Sequence, residues 1–262
     1  MEIFRHLARH RGYIWRAAKT DFRFQYAGTS LGVLWNVLNP LLLIVIYTFV
    51  FSTILRLRAG GDADLSYPLF LCAGLLPWLA FSQSLVLASS QLLRSAVYLR
   101  RMTVPPEVFV AKSVLMSTFG MGIVSVLIVA IAFFSGRPPS PALAFLPLLI
   151  AGLMLLALGF GLVLAVLRVY FRDVGEILRA VTVAWRWTMP IIYAEELVPE
   201  RFRVLFDINP PYPFIRAIRS VLLGLGSPQP REIVLMAAWS VTGLLLGAFV
   251  FKRLSSGVRD IL

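Results

Sequence analysis

The sequence predicts an all-α integral membrane protein with six transmembrane helices, built as one domain over residues 1–262. Three observations lead there. Hydrophobic residues make up 59% of the 262 positions and charged residues 15%, with a mean hydropathy of +0.82. Typical globular chains hold roughly 45–50% and about 25%. So few charges cannot cover a water-soluble protein of this length, which excludes soluble enzymes, fibrous proteins and disordered chains. Apolar runs free of Asp, Glu, Lys and Arg also recur, near the ~20 residues a helix needs to cross a bilayer. Finally, 25 basic residues face only 13 acidic ones, and they concentrate in alternate loops. A basic excess can mark a nucleic-acid binder, but loops of this kind are what the positive-inside rule expects of a membrane protein.

The elements follow in order. Residues 1–30 read as a basic amphipathic helix lying in the membrane surface, with Leu7, Ile14, Ala18 and Phe22 on one face and Arg5, Arg9, Arg16 and Arg23 on another. Such a helix serves as a topology anchor or also contacts a cytoplasmic partner. No charge occurs between Arg23 and Arg56, and span one is predicted at about 33–55. Spans two, three and four follow at about 67–93, 113–135 and 143–167, and the last at 233–251. Residues 174–194 are apolar but carry Glu176, Arg179 and Arg186; they are read as span five. Six crossings put both termini on one side. Sixteen basic residues fall on that side and eight on the other, which assigns the termini to the cytoplasm. The first 23 residues are polar and precede no short apolar core, so a cleavable signal peptide is not expected and span one is retained.

Three segments are neither span nor simple loop. RSAVYLRRMTV, from Arg94 to Val104, is a short basic helix closed by Pro105 and Pro106, and reads as a docking element. The stretch 195–231 holds two apolar patches, Phe202–Ile208 and Tyr212–Leu225, punctuated by Pro199, Pro210, Pro211, Pro213 and Gly224. Each is too short to span and suits a re-entrant or interfacial helix on the external side. In span five, Arg172, Glu176, Arg179 and Arg186 fall within about 80° of one another on a helical wheel. An Arg at membrane depth costs ~2.5–3.5 kcal/mol or more against lipid, so such a stripe faces protein or a watery pathway. The first three also suit snorkelling at the cytoplasmic end, whereas Arg186, between Trp185 and Trp187, reads as pathway-lining.

Enzymatic chemistry is not expected. Lys19 and Lys112 follow Ala and Lys252 follows Phe, so there is no P-loop. His6 and His10 stand four apart but lack an HExxH acid and a third ligand, and are read as surface residues. Glu195, Glu196 and Glu200 form no recognisable acid–base pair. The single Cys72 excludes an internal disulfide and reads as a packing residue. Gly28/Gly32 and Gly243/Gly247 have GxxxG spacing, a signal for close helix packing. No catalytic, cofactor or metal site is predicted.

Four ordered stretches resemble the ABC-2 type permeases of polysaccharide exporters: YAGTSLGVLWNVLNPLLLIVIYTFVFS from Tyr26, LFLCAGLLPWLAFSQSL from Leu69, VYFRDVGEIL from Val169 and INPPYPFIRAIRSVLLG from Ile208. With spacing and topology the likeness covers nearly the whole chain. It implies a homodimer in a bacterial cytoplasmic membrane, working with two copies of a separate P-loop ATPase that binds ATP and Mg. Residues 1–30 would be the interface helix. Arg94, Tyr98, Arg100, Arg101 and Met102 would couple to the ATPase. Spans one and five would line a channel between protomers, with Trp35, Arg179, Arg186, Trp187 and Tyr193 as lining candidates and Phe24, Trp78 and Trp185 as further aromatic ones. Phe202, Pro210, Pro211, Pro213 and Phe214 would form an external gate. The expected cargo is a lipid-linked, O-antigen-like polysaccharide, with sugar rings sliding over aromatic faces. Alternatives are capsule or teichoic acid export, an ABC-2 drug or lipid exporter, and a secondary transporter without an ATPase. The last usually shows related halves, which are not seen here. A membrane transferase would need paired acids that cannot be assembled from this chain.

Overall fold

The structure is a computed structural model that describes residues 2–55, 66–101, 104–193, 195 and 198–258. Among the described residues there are helices and no strand, and five helical stretches are long and apolar enough to cross a membrane. In chain order the elements are α1 (Glu2–Arg9), α2 (Arg11–Phe24), α3 (Trp35–Thr48), α4 (Tyr67–Arg94), α5 (Ala96–Arg101), α6 (Pro106–Phe134), α7 (Leu146–Tyr170), α8 (Val174–Trp187), α9 (Glu200–Ile208), α10 (Tyr212–Leu222) and α11 (Pro230–Leu254). A 3₁₀ turn, Gly32–Leu34, and a π turn, Phe49–Ile54, extend α3 at its two ends. Prolines open α4, α6, α7, α10 and α11, where a missing N–H costs nothing. Gln229 and Glu232 cap α11 reciprocally.

The centre of the bundle is α4 and α7, with α6, α10 and α11 packed on them. Two-thirds of the apolar stretches of α4 and α7 are buried (67% each), against 6% for α3. The α7–α11 contact is made by glycine: a Cβ at Gly159 would stand 2.7 Å from the Leu244 backbone nitrogen, and one at Gly247 would stand 2.7 Å from the Gly159 Cα. Gly243/Gly247 therefore packs as its spacing predicts. Gly28/Gly32 does not. Both lie in the connection between α2 and α3 at φ 88° and 47°, with no neighbour a side chain would meet. Their role is the left-handed turn that glycine alone takes without strain.

Ion pairs and hydrogen bonds gather the helix ends. Lys252 Nζ lies 2.7 Å from Glu2, and the ammonium holds that carboxyl below the usual carboxylate range. His6 meets the buried Glu107 at 2.7 Å, Lys112 meets Asp21 at 2.6 Å, and the Tyr170 hydroxyl donates to the Leu254 carbonyl at 2.8 Å. So α1, α2, the starts of α6 and α8 and the ends of α4, α7 and α11 share one end, rich in Arg and Lys. At the other end the Tyr67 hydroxyl donates to the Ile192 carbonyl and Arg216 pairs with Glu232 at 3.4 Å.

Two helices differ from expectation. The segment predicted as one helix over 1–30 is two, broken at His10, whose φ/ψ of −97°/12° leaves the helical region while its Nδ1 bonds the His6 carbonyl at 2.9 Å. The basic face is exposed, and Ile3, Ile14 and Ala18 are buried, with α1 and α2 packed on α6. Span five, predicted over 174–194, is helical only to Trp187. Fourteen residues reach about 21 Å, short of a ~30 Å hydrocarbon core. Beyond Trp187 the chain continues through turns at 188–193, interrupted by Pro190.

Candidate functional site

At the basic end, α5 is fastened to α4 through a buried Gln91–Ser95 hydrogen bond of 3.1 Å and by Leu99, 3% exposed. Its outward face carries Val97, Tyr98, Arg100 and Arg101, and Arg94 is exposed beside it. Met102, the remaining predicted coupling residue, lies outside the described residues. The result is a short basic, aromatic knob held rigidly on the end of a core helix.

The α8 stripe divides by neighbour. Arg179 pairs with Glu176 on the surface and, with Thr182, walls a cavity of about 570 Å³ shared with Trp35 of α3 and with α2, α4 and α6. Two of the five lining candidates, Trp35 and Arg179, thus meet in one space. The other three cluster at the far end of α8. Arg186 lies half-buried with its Cζ 5.9 Å from the Trp187 ring centroid, and its buried Nε has no hydrogen-bond partner among the described residues. Trp187 is exposed, and the Tyr193 hydroxyl donates to its carbonyl at 3.2 Å. Trp78 and Trp185 pack against each other. Their rings pack edge-on at 5.6 Å, with Phe81 and Phe160 beside Trp185 and Trp78 fully buried. Phe24 is exposed at the end of α2.

Beyond α8 the chain builds a helical hairpin. α9 and α10 are the two short helices the proline-punctuated stretch predicts, joined at Asn209-Pro210-Pro211. The tip is bolted to α8: the Trp185 Nε1–H donates to Asn209 Oδ1 at 2.9 Å, and Asn209 Nδ2–H donates to Thr188 Oγ1 at 3.1 Å. Trp185 itself contacts Trp78, eleven residues or about 16 Å along α4 from Tyr67, so the tip reaches well into the bundle. Of the predicted gate residues, Phe202 is exposed on α9 under the Arg201 guanidinium at 4.8 Å. Pro210 and Pro211 form the turn. Pro213 and Phe214 are buried, with Phe214 filling the notch at Gly152 on α7, where a Cβ would come within 2.8 Å of its ring. Phe214 anchors α10 to α7.

The residue that holds the hairpin was not singled out from sequence. Arg219 of α10 is buried, donates from Nη1 to the Pro190 carbonyl at 3.1 Å and from Nη2 to the Ile191 carbonyl at 3.2 Å, and lies 4.2 Å over the Phe70 ring. Gly74, one turn beyond Phe70, leaves the space it occupies. A charge inside the apolar patch Tyr212–Leu225 was the available signal. Asn209 was missed with it, although an Asn next to two prolines is a turn signal in its own right. His6 is spent on Glu107, and among the described residues no group of three or more His, Cys, Asp and Glu forms a metal cluster.

The described features are thus a basic knob at one end, a cavity with a mixed polar and apolar wall along the bundle, and a bolted hairpin at the other end. The chain is similar to two O-antigen export system permease proteins RfbA of Klebsiella pneumoniae, each 26% identical over 243 and 246 residues, 92% of both chains. It is also 23% identical to the O-antigen export system permease protein RfbA of Myxococcus xanthus over 256 residues, 96% of each. Residues 13–223, well over half of the sequence, match the ABC-2 type transporter family, and the protein belongs to that family.

Proposed function

We propose that the protein is the permease of an ATP-driven exporter that moves a lipid-linked, O-antigen-like polysaccharide across the bacterial inner membrane. The observation that carries this reading is the likeness to three O-antigen export permeases along 92–96% of each chain. In this reading two copies pair through the sparsely covered α3 and the outer face of α8, and the glycan passes between them. The termini and α5 face the cytoplasm, where two copies of a separate ATPase bind ATP and Mg and press on Tyr98, Arg100 and Arg101. The hairpin α9–α10 closes the external end. Arg179, Arg186 and the ring faces of Trp35 and Trp187 favour this arrangement, because polar and cationic groups at membrane depth belong beside a water-accessible path rather than lipid. Weak, repeated stacking suits a polymer that must slide.

The test is purification of the tagged protein from its native membrane in mild detergent, with stoichiometric partners identified by mass spectrometry. A P-loop ATPase present one-to-one, and loss of surface polysaccharide in the deletion strain, are the expected results. A pure oligomer free of ATPase in more than one detergent sinks the proposal in favour of a secondary transporter. An intact surface glycan in the deletion strain removes the polysaccharide.

A further inference from the structure

The chain contains only seven Asn and Gln residues, and four of them line one cavity: Gln25, Asn36, Asn39 and Gln83. They come from three separate places, the end of α2, the first turns of α3 and the middle of α4. The three carboxamides elsewhere each hold the fold together: Gln91 on Ser95, Asn209 on α8, and Gln229 as the α11 cap. Inside the cavity the pattern is different. Asn39 donates to the Tyr26 hydroxyl at 3.0 Å and Asn36 to the Val33 carbonyl at 3.2 Å, whereas Gln25 and Gln83 have no hydrogen-bond partner among the described residues. Gln83 lies eleven residues, about 16 Å, from the end of α4 at Arg94, near the middle of the membrane. The Gln25 and Gln83 side chains are both exposed to the open cavity, so their donors and acceptors are free to meet a polar occupant. The large concavity between the end of α6 and the start of α7 has no such set; its walls are almost wholly apolar and suit lipid tails.

Carboxamides each present a donor pair and an acceptor at fixed spacing, the complement of neighbouring hydroxyls on a sugar ring. The rings of Trp35 and Phe22 supply apolar faces in the same wall, and the volume of about 570 Å³ falls within the roughly 300–1,000 Å³ of ligand pockets. We propose that this cavity is a carbohydrate subsite, one per protomer, that holds a sugar residue of the glycan at mid-membrane, with Gln83 and Gln25 bonding its hydroxyls. The inference rests on the export reading above and adds to it a defined station inside the protomer rather than a uniform wall between two copies.

The test uses the whole exporter, permease plus ATPase, in nanodiscs, with two probes: the lipid-linked glycan extracted from the native strain, and a polyprenyl pyrophosphate without sugar. Gln83→Leu is compatible with both helix and lipid at this position. It should weaken binding of the glycan lipid about three- to tenfold, the loss expected for one to two neutral hydrogen bonds, and leave the sugar-free lipid unchanged. Gln25→Leu should act in the same direction and the double variant more strongly. Unchanged affinity for the glycan lipid overturns the subsite, as does equal weakening of both probes. Dissociation of the dimer in Gln83→Leu also overturns it, because the carboxamide would then be a contact between copies. Wild-type complex that binds neither probe removes the export reading, and the subsite with it.

Discussion

Replacing Gly74 by alanine probes whether the hairpin hangs from one buried guanidinium. The new methyl would stand 2.7 Å from both Cζ and Nε of Arg219, too close for any side chain to coexist with it. The backbone of α4 is fixed in the core, so the guanidinium must leave. Its departure strips the Pro190 and Ile191 carbonyls of their donors. A buried polar group left unsatisfied costs about 1–3 kcal/mol, so Gly74→Ala should destabilise by about 2–6 kcal/mol. Arg219→Leu removes the same two bonds and should cost a similar amount, without a displaced charge. The double variant should be no worse than Arg219→Leu alone, because the methyl then meets no guanidinium. The expected coupling is therefore close to the whole single-variant cost, far outside the ~0.3–0.5 kcal/mol scatter of independent sites. Thermal unfolding of the detergent-solubilised protein, followed by gel filtration, reads all four forms. A neutral Gly74→Ala, or costs that simply add, would refute the latch.

Other perturbations reach the remaining parts of the molecule. Arg100→Glu with Arg101→Glu reverses the charge of the α5 knob and should abolish export while ATP hydrolysis and membrane insertion persist; undiminished surface polysaccharide would count against a coupling role. Arg186→Leu should lower export without loss of protein, and full export would return Arg186 to packing. Gly159→Ala forces a methyl against the α11 backbone, which cannot yield as a side chain does, and should cost about 1–3 kcal/mol; an unchanged melting temperature would refute the close approach of α7 and α11.

The long helices were legible because a membrane span leaves a signal in one dimension: a charge-free interval of fixed length. The hairpin was legible too, since Pro199, Pro210, Pro211 and Pro213 cut an apolar stretch into pieces too short to cross. What was not legible depends on residues distant in the chain. The end of α8 looks continuous in sequence, Thr-Val-Ala-Trp-Arg-Trp, and its arrest at Trp187 is stabilised by Asn209 and Arg219, more than twenty residues later. Trp185 and Trp187 are chemically alike, and only the presence of Trp78 and Phe160 on one side decides that the first turns inward. GxxxG spacing at Gly28/Gly32 resembled that at Gly243/Gly247 because spacing carries no information about φ. The cavity carboxamides are scattered over nearly sixty residues, so their convergence existed only in three dimensions.

The shortness of α8 and the presence of the hairpin are one structural solution. Ending a helix inside a membrane exposes carbonyls that lipid cannot satisfy, and irregular backbone survives at depth only where protein or water covers it. Here four carbonyls of the break receive a side-chain donor: Trp187 from Tyr193, Pro190 and Ile191 from Arg219, and Ile192 from Tyr67. Two of these donors stand on elements other than the break itself, α10 and α4. A break satisfied by side chains differs from a continuous helix in one consequential respect. Its hydrogen bonds are exchanged by moving a few side chains, whereas a helical ladder must unwind. The end of α8 and the hairpin tip bolted to it therefore depend on the placement of Tyr193, Arg219 and Tyr67, and they stand at the end of the bundle opposite to α5.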